Sequence, residues 1–242
     1  EIMPSLVGSE MCIRDRLYTM NTQDTVHRKS AAELRIRRVM DALEKNNMQA
    51  YYAPTFADAV KIAKELLQPG DVISCGGSVT LDETGVMDLM RCGDYEFLDR
   101  TTAKTPEERE KLYREVFSSD VFLTGTNAVT EHGELYNVDG NGNRVAAMLF
   151  GPKKVLVFAG CNKIVRDIDA AAKRVKSCAT PANAMRLNLD TPCTHGACPG
   201  TDGELCAGCR SENRICAMYT VLARQRVKGR IHVILIGEEV GY

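Results

Sequence analysis

The chain has 242 residues, with 31 basic and 32 acidic side chains, a net charge of −1 and 44% hydrophobic content. That balance lacks the basic excess that phosphate-backbone binding requires, and no apolar run approaches the roughly 20 residues of a membrane span, so neither nucleic acid nor a bilayer span is expected. No Pro/Gly/Ser-rich linker divides the sequence, which predicts one main core.

Residues 1–19, beginning EIMPSLVGSEMCIRDR, resemble translated adapter sequence and read as a non-native or disordered leader, with no function on Cys12 and a domain over 20–242. No apolar signal region with a small-residue cleavage site is present, which predicts a cytoplasmic, reducing compartment. From Ser30, Ile36, Val39, Met40 and Leu43 recur at helical spacing. Thr55 with Asp58 forms a capping-box signature ahead of a stripe of Phe56, Ala59, Val60, Ala63 and Leu67, and QPG closes that helix. DVISCGG reads as a buried strand running into a loop, followed by a helix after Thr80 and a strand in YEFLDR. Thr105, Pro106 and Glu108 supply the N-cap, first-turn proline and capping partner of the next helix. VFLTGT, KKVLVFAG and RIHVILIGE read as strands, with helices near Val145–Leu149 and Ile168–Cys178. This alternation predicts an α/β fold with a largely parallel sheet, helices on its faces and ligands at the carboxyl ends of the strands.

Three constellations carry candidate chemistry. In CGGSVTLDETG (75–85), Gly76 and Gly77 permit close backbone approach and Ser78 offers a hydroxyl, so an anion can dock there; a plain tight turn is the competing reading. In TGTNAVTEHGELYNVDGNGNR (124–144), a loop rich in glycines and amides carries Thr126, Asn127, Glu131 and Arg144. A guanidinium beside backbone amides suits a small carboxylate or phosphate, which arginine holds by two parallel hydrogen bonds.

The third constellation is the Cys-rich segment 193–216, TPC through CAGC to RIC. Of the ten cysteines, Cys193, Cys198, Cys206, Cys209 and Cys216 lie within it. Cys206 and Cys209, two residues apart, can direct both sulfurs at one ion, and further cysteines among Cys193, Cys198 and Cys216 complete the thiolate set for structural zinc or an iron-sulfur cluster. His195 is a substitute ligand or an exposed loop residue, and a redox dithiol is the remaining reading of CAGC.

GGSVTLDETGVMDLM, FLDR, the run from VFLTGTNAV to AGCNKIV, and TPC followed by CAGC and RIC together resemble the lactate-utilisation (LUD) domain family, of the small non-ferredoxin subunit type. The resemblance implies a fold like that of ribose-phosphate isomerases and CoA transferases. It also implies a role as subunit or accessory in oxidising L-lactate, a small 2-hydroxy acid, to pyruvate beside iron-sulfur protein subunits. Gly76, Gly77, Ser78, Thr126, Asn127 and Arg144 then become ligand contacts, for a small carboxylate or a phosphorylated metabolite. Two other functions stay open: a stand-alone enzyme, either sugar-phosphate isomerase-like with Glu131 or Asp139 as base or CoA transferase-like with a glutamate nucleophile, and a metal-stabilised binding module without catalysis.

Overall fold

The structure, a computed structural model, describes residues 9–196 and 198–242, with side chains from residue 26 onward. The leader expected over 1–19 therefore lies partly outside the described residues. The chain forms two units, one up to Arg35 and one over Ile36–Tyr242. The described part of the first is helical, and its helix, α1 (Ser9–Lys45), runs on into the second. No helix of the described residues is long and apolar enough to cross a membrane.

In the second unit, six strands form a parallel sheet: β1 (Gln49–Ala53), β2 (Val72–Cys75), β3 (Glu96–Leu98), β4 (Val121–Gly125), β7 (Lys154–Gly160) and β10 (Ile231–Ile236). Their spatial order is β1-β10-β7-β4-β2-β3. The central strands read as continuous apolar runs because both faces are covered, as parallel sheets require. The period of two is still present inside those runs. In β7, Val155, Val157 and Ala159 join a core with Ile36, Val39 and Leu43 of α1. Leu156 and Phe158 join the opposite core, with Ala59 and Ala63 of α2 (Phe56–Leu66), Leu81 of α3 (Val79–Glu83) and Val86 and Met90 of α4 (Val86–Met90). Both expected capping boxes form: Thr55 with Asp58 on α2, and Thr105 with Glu108 on α5 (Pro106–Glu115).

A second sheet has no counterpart in the sequence reading. β5 (Ala128–Thr130), β6 (Leu135–Asp139), β8 (Ile164–Val165) and β9 (Met218–Leu222) pair in the order β8-β5-β6-β9. Residues 124–144, read as one loop, thus contain an antiparallel hairpin before α6 (Asn143–Leu149). Its strands were illegible because they are short and bury polar side chains: Thr130 and Asn137 are fully buried and Asp139 is 7% exposed. Both hairpin faces are covered, with Val129 and Leu135 in the core beneath α1 and Ala128 and Tyr136 against α7 (Ile168–Arg174). α7 continues through a π-helical turn, Val175–Ala179, into α8 (Thr180–Arg186).

The hairpin turn is fitted to α1. Gly133 has φ +77°, and a Cβ there would lie 2.5 Å from the Ala42 carbonyl carbon. Asn46 also donates to the carbonyls of His132 and Gly133 at 2.9 and 3.0 Å. Gly93 is also left-handed, at φ +97°, but faces open space. Gly93→Ala is therefore expected to cost about 1–2 kcal/mol, the penalty of a left-handed alanine. Gly133→Ala is expected to cost clearly more, because helix backbone must also move. Urea denaturation of the two variants checks the order, and equal losses would contradict it.

Candidate functional site

The carboxyl ends of β2, β4 and β7 open onto a cavity of about 530 Å³, where ligands sit in sheets of this kind. β2 delivers Gly77, Ser78 and Thr80, β4 delivers Gly125, Thr126 and Asn127, and the turn after β7 delivers Lys163. Further walls come from β6 and the start of α6, from α8, from the 212–215 segment and from Tyr242. Five cations line the space, Arg100, Arg144, Lys163, Arg186 and Arg214, against two carboxylates, Asp139 and Glu212. The cavity is built for an anion.

The cations differ in what their donors already hold. Arg144 donates from Nε to Asp139 at 2.9 Å. Its Nη1 donates to the Gly125 carbonyl at 3.0 Å and to Asn137 Oδ1 at 2.6 Å. Its Nη2 reaches Asn127 Oδ1 at 3.0 Å and Asp139 Oδ1 at 2.7 Å. Five donors so engaged leave no open fork, and Arg144 braces the cavity wall that it also lines. Asp139 completes the brace by accepting from the Val145 N–H at 3.0 Å in the first turn of α6.

Thr126 and Asn127 belong to the same scaffold. Thr126 is buried, its hydroxyl donating to the carbonyls of Ala128 and Tyr136. Asn127 Oδ1 accepts from the Val138 N–H as well as from Arg144. Ser78 caps α3, accepting from the Leu81 N–H at 3.4 Å. Glu131 sits in the β5–β6 turn, where its N–H donates to the Val165 carbonyl, and is not among the residues lining the cavity. The paired glycines admit side chains: a Cβ on Gly76 would press on Arg144 at 3.0 Å, and one on Gly77 would collide with the Arg100 guanidinium.

Two residues missed by the sequence reading are the open functional groups. Arg100 follows β3, lies against Gly77 and, among the described residues, has no hydrogen bond or ion pair at its guanidinium. Lys163 is 3% exposed, and its Nζ donates to Thr80 Oγ1 at 2.7 Å. Burial, reinforced by the nearby charges of Arg174 and Arg144, lowers its ammonium pKa to about 7. The signal that could have found both is position, since each follows closely on the carboxyl end of a parallel strand.

The cysteines expected to hold a metal do not gather. Among the described residues no group of three or more His, Cys, Asp or Glu side chains could hold a metal ion. Cys193 is buried with its sulfur 3.2 Å from Thr191 Oγ1, Cys206 is exposed, and all nine described cysteines are free thiols. His195 is exposed and pairs with Asp190 at 2.7 Å. What organises the segment is Arg214, whose guanidinium donates to the carbonyls of Cys216, Cys209 and Cys206 at 2.9, 2.9 and 3.1 Å. As arranged, these thiols do not fit a zinc ion or an iron-sulfur cluster, and no chemical step is routed through one.

Residues 36–236 match the LUD domain. No curated protein matches the sequence. Among solved structures, a DUF162 family protein from Deinococcus radiodurans is 13% identical at a TM-score of 0.47, over 85% of this chain and 98% of that one. The eIF2B delta chain from Chaetomium thermophilum is 18% identical at 0.33, over 47% and 49% of the two chains. Ribose 5-phosphate isomerase from Plasmodium falciparum is 16% identical at 0.30, over 46% and 52%. Likeness at these values says nothing about activity.

Lys163 predicts a pH dependence of stability. Its folded-state pKa of about 7 lies below its ordinary value of 10.5, so between those limits the unfolded chain binds one more proton than the folded one. Stability must therefore rise with pH across that window. In urea denaturation, the native chain is expected to gain stability relative to Lys163→Met between pH 7 and pH 10; a constant difference would contradict the buried, depressed lysine.

Proposed function

The chain belongs to the LUD domain family, and we propose that its cavity binds a small 2-hydroxy or 2-oxo carboxylate of the lactate and pyruvate class. Membership of the family supports a lactate-utilisation-related role in general. The observation that carries the finer reading is the guanidinium of Arg100, unpaired among the described residues, in a cavity whose other cations are largely committed. Guanidinium and carboxylate match in a planar, two-bond pairing that lysine cannot reproduce. Gly77 keeps the space that Arg100 occupies, and the Arg144 brace holds the wall beside it.

In this reading the chain is a subunit or accessory of L-lactate oxidation to pyruvate. Its own residues bind and orient the acid: Arg100 takes the carboxylate, and the polar wall around Thr80 and Lys163 faces the hydroxyl-bearing carbon. Removal of two electrons needs an acceptor, which we assign to partner subunits carrying iron-sulfur clusters. The cavity's surplus of positive charge also suits a phosphorylated metabolite, which competes for the same guanidinium.

Titration calorimetry with L-lactate, pyruvate and inorganic phosphate tests the reading. Arg100→Leu is expected to weaken carboxylate binding roughly 10- to 100-fold, the worth of a charge-assisted hydrogen-bond pair, while thermal stability stays close to that of the native chain. Unchanged affinity in Arg100→Leu, or no binding of either acid by the native chain, would overturn it. Phosphate binding without acid binding would also overturn it, in favour of a phosphorylated ligand.

A further inference from the structure

We propose that Lys163 is a catalytic nucleophile whose amine condenses with the carbonyl carbon of a 2-oxo acid held in the cavity. The inference rests on the carboxylate-binding reading and narrows it from hydroxy and oxo acids to a ligand that carries both a carboxylate and a ketone.

A lysine acts as a nucleophile where it has burial, nearby positive charge and access to a ligand. Lys163 meets all three. It is 3% exposed, yet it lines the cavity. Among the described residues no carboxylate pairs with it, and its hydrogen-bond partner is the Thr80 hydroxyl, at 2.7 Å. The charged and titratable groups acting on it are Arg174, Arg144, Glu83 and Cys178, the two arginines outweighing the rest and favouring the neutral amine. Arg174 is fixed by the carbonyls of Asn162 and Asn127, at 3.1 and 2.7 Å, so that charge is built into the site.

Geometry then selects the ligand. The segment Gly77–Thr80 touches Arg100 at its first residue and Lys163 at its last. A guanidinium suited to a carboxylate and an amine suited to a carbonyl thus face one short stretch of backbone, which matches a 2-oxo acid. The other buried lysine, Lys176, donates to the Glu204 carbonyl at 2.8 Å and does not line the cavity.

In the step itself, the Nζ lone pair attacks the ketone carbon to form a C–N bond. The ketone oxygen takes up the two amine protons and leaves as water, so that C=N replaces C=O. No oxidant or reductant is consumed.

The test incubates the full chain with pyruvate and sodium borohydride, which reduces an imine to a stable secondary amine, and maps the adduct by peptide mass spectrometry. Calorimetric binding of pyruvate is measured on the same preparation. The expected result is a pyruvate-dependent adduct concentrated on Lys163, increasing as the pH is raised from 6 to 8 and lost in Lys163→Arg, which keeps a cation but cannot form the imine. Because the native chain carries the decisive measurement, a misfolded variant does not remove the test. Pyruvate binding without an adduct on Lys163, or adducts spread over exposed lysines or on Lys176, overturns the inference and leaves the carboxylate reading standing. Absence of pyruvate binding overturns the inference, and absence of both pyruvate and L-lactate binding overturns the carboxylate reading as well.

Discussion

The ion pair between Arg144 and Asp139 holds the site together. Its side chains are 13% and 7% exposed, and around it converge the end of β4 through the Gly125 carbonyl, the hairpin through Asn127 and Asn137, and the first turn of α6 through Val145. A buried pair of this kind gains little over an apolar substitute, but removing one partner leaves the other charged and unsatisfied, at about 3–5 kcal/mol. Its value lies in specificity: one arrangement of these segments engages every donor of the Arg144 guanidinium. Because this arginine is fully occupied, its guanidinium is tied to the cavity wall.

With the brace fixed, the parallel sheet does the positioning. Parallel strands send successive turns to the same edge, so the turns after β2, β4 and β7 meet although they are far apart in sequence. Lys163 reaches Thr80 across 83 residues. The second sheet widens this edge into a walled cavity, because β6 carries Asn137 and Asp139 to the arginine and β9 ties the cysteine-rich segment alongside. Arg214 then converts that segment into a wall by gathering three backbone carbonyls that would otherwise need water or one another.

Features encoded within a few residues were legible in the sequence. Thr55 and Asp58, or Thr105 and Glu108, satisfy each other inside one helical turn, and β7 and β10 declare themselves as apolar runs. The family resemblance, carried by a long central block, likewise fixed the fold class that the sheet order bears out. The second sheet escaped because Thr130, Asn137 and Asp139 are buried against polar partners, Glu134 and Arg144, which hydrophobic alternation does not register. Arg100 and Lys163 escaped for a related reason. Such residues are ordinarily solvated, and only the assembled sheet edge buries one and leaves the other facing a cavity. Thr126, Asn127 and Arg144 stood out as polar residues in a glycine-rich stretch; all three line the cavity and are hydrogen-bonded within its wall.

Carboxylate binding by Arg100, which lines the cavity, is the central proposal. Its most direct test is a crystal structure of the chain grown with saturating L-lactate. The carboxylate is predicted to pair with the Arg100 guanidinium through two hydrogen bonds of about 2.7–2.9 Å, with the hydroxyl-bearing carbon turned toward Lys163 and Thr80. Lactate bound elsewhere, or a cavity holding only water at that concentration, would contradict it.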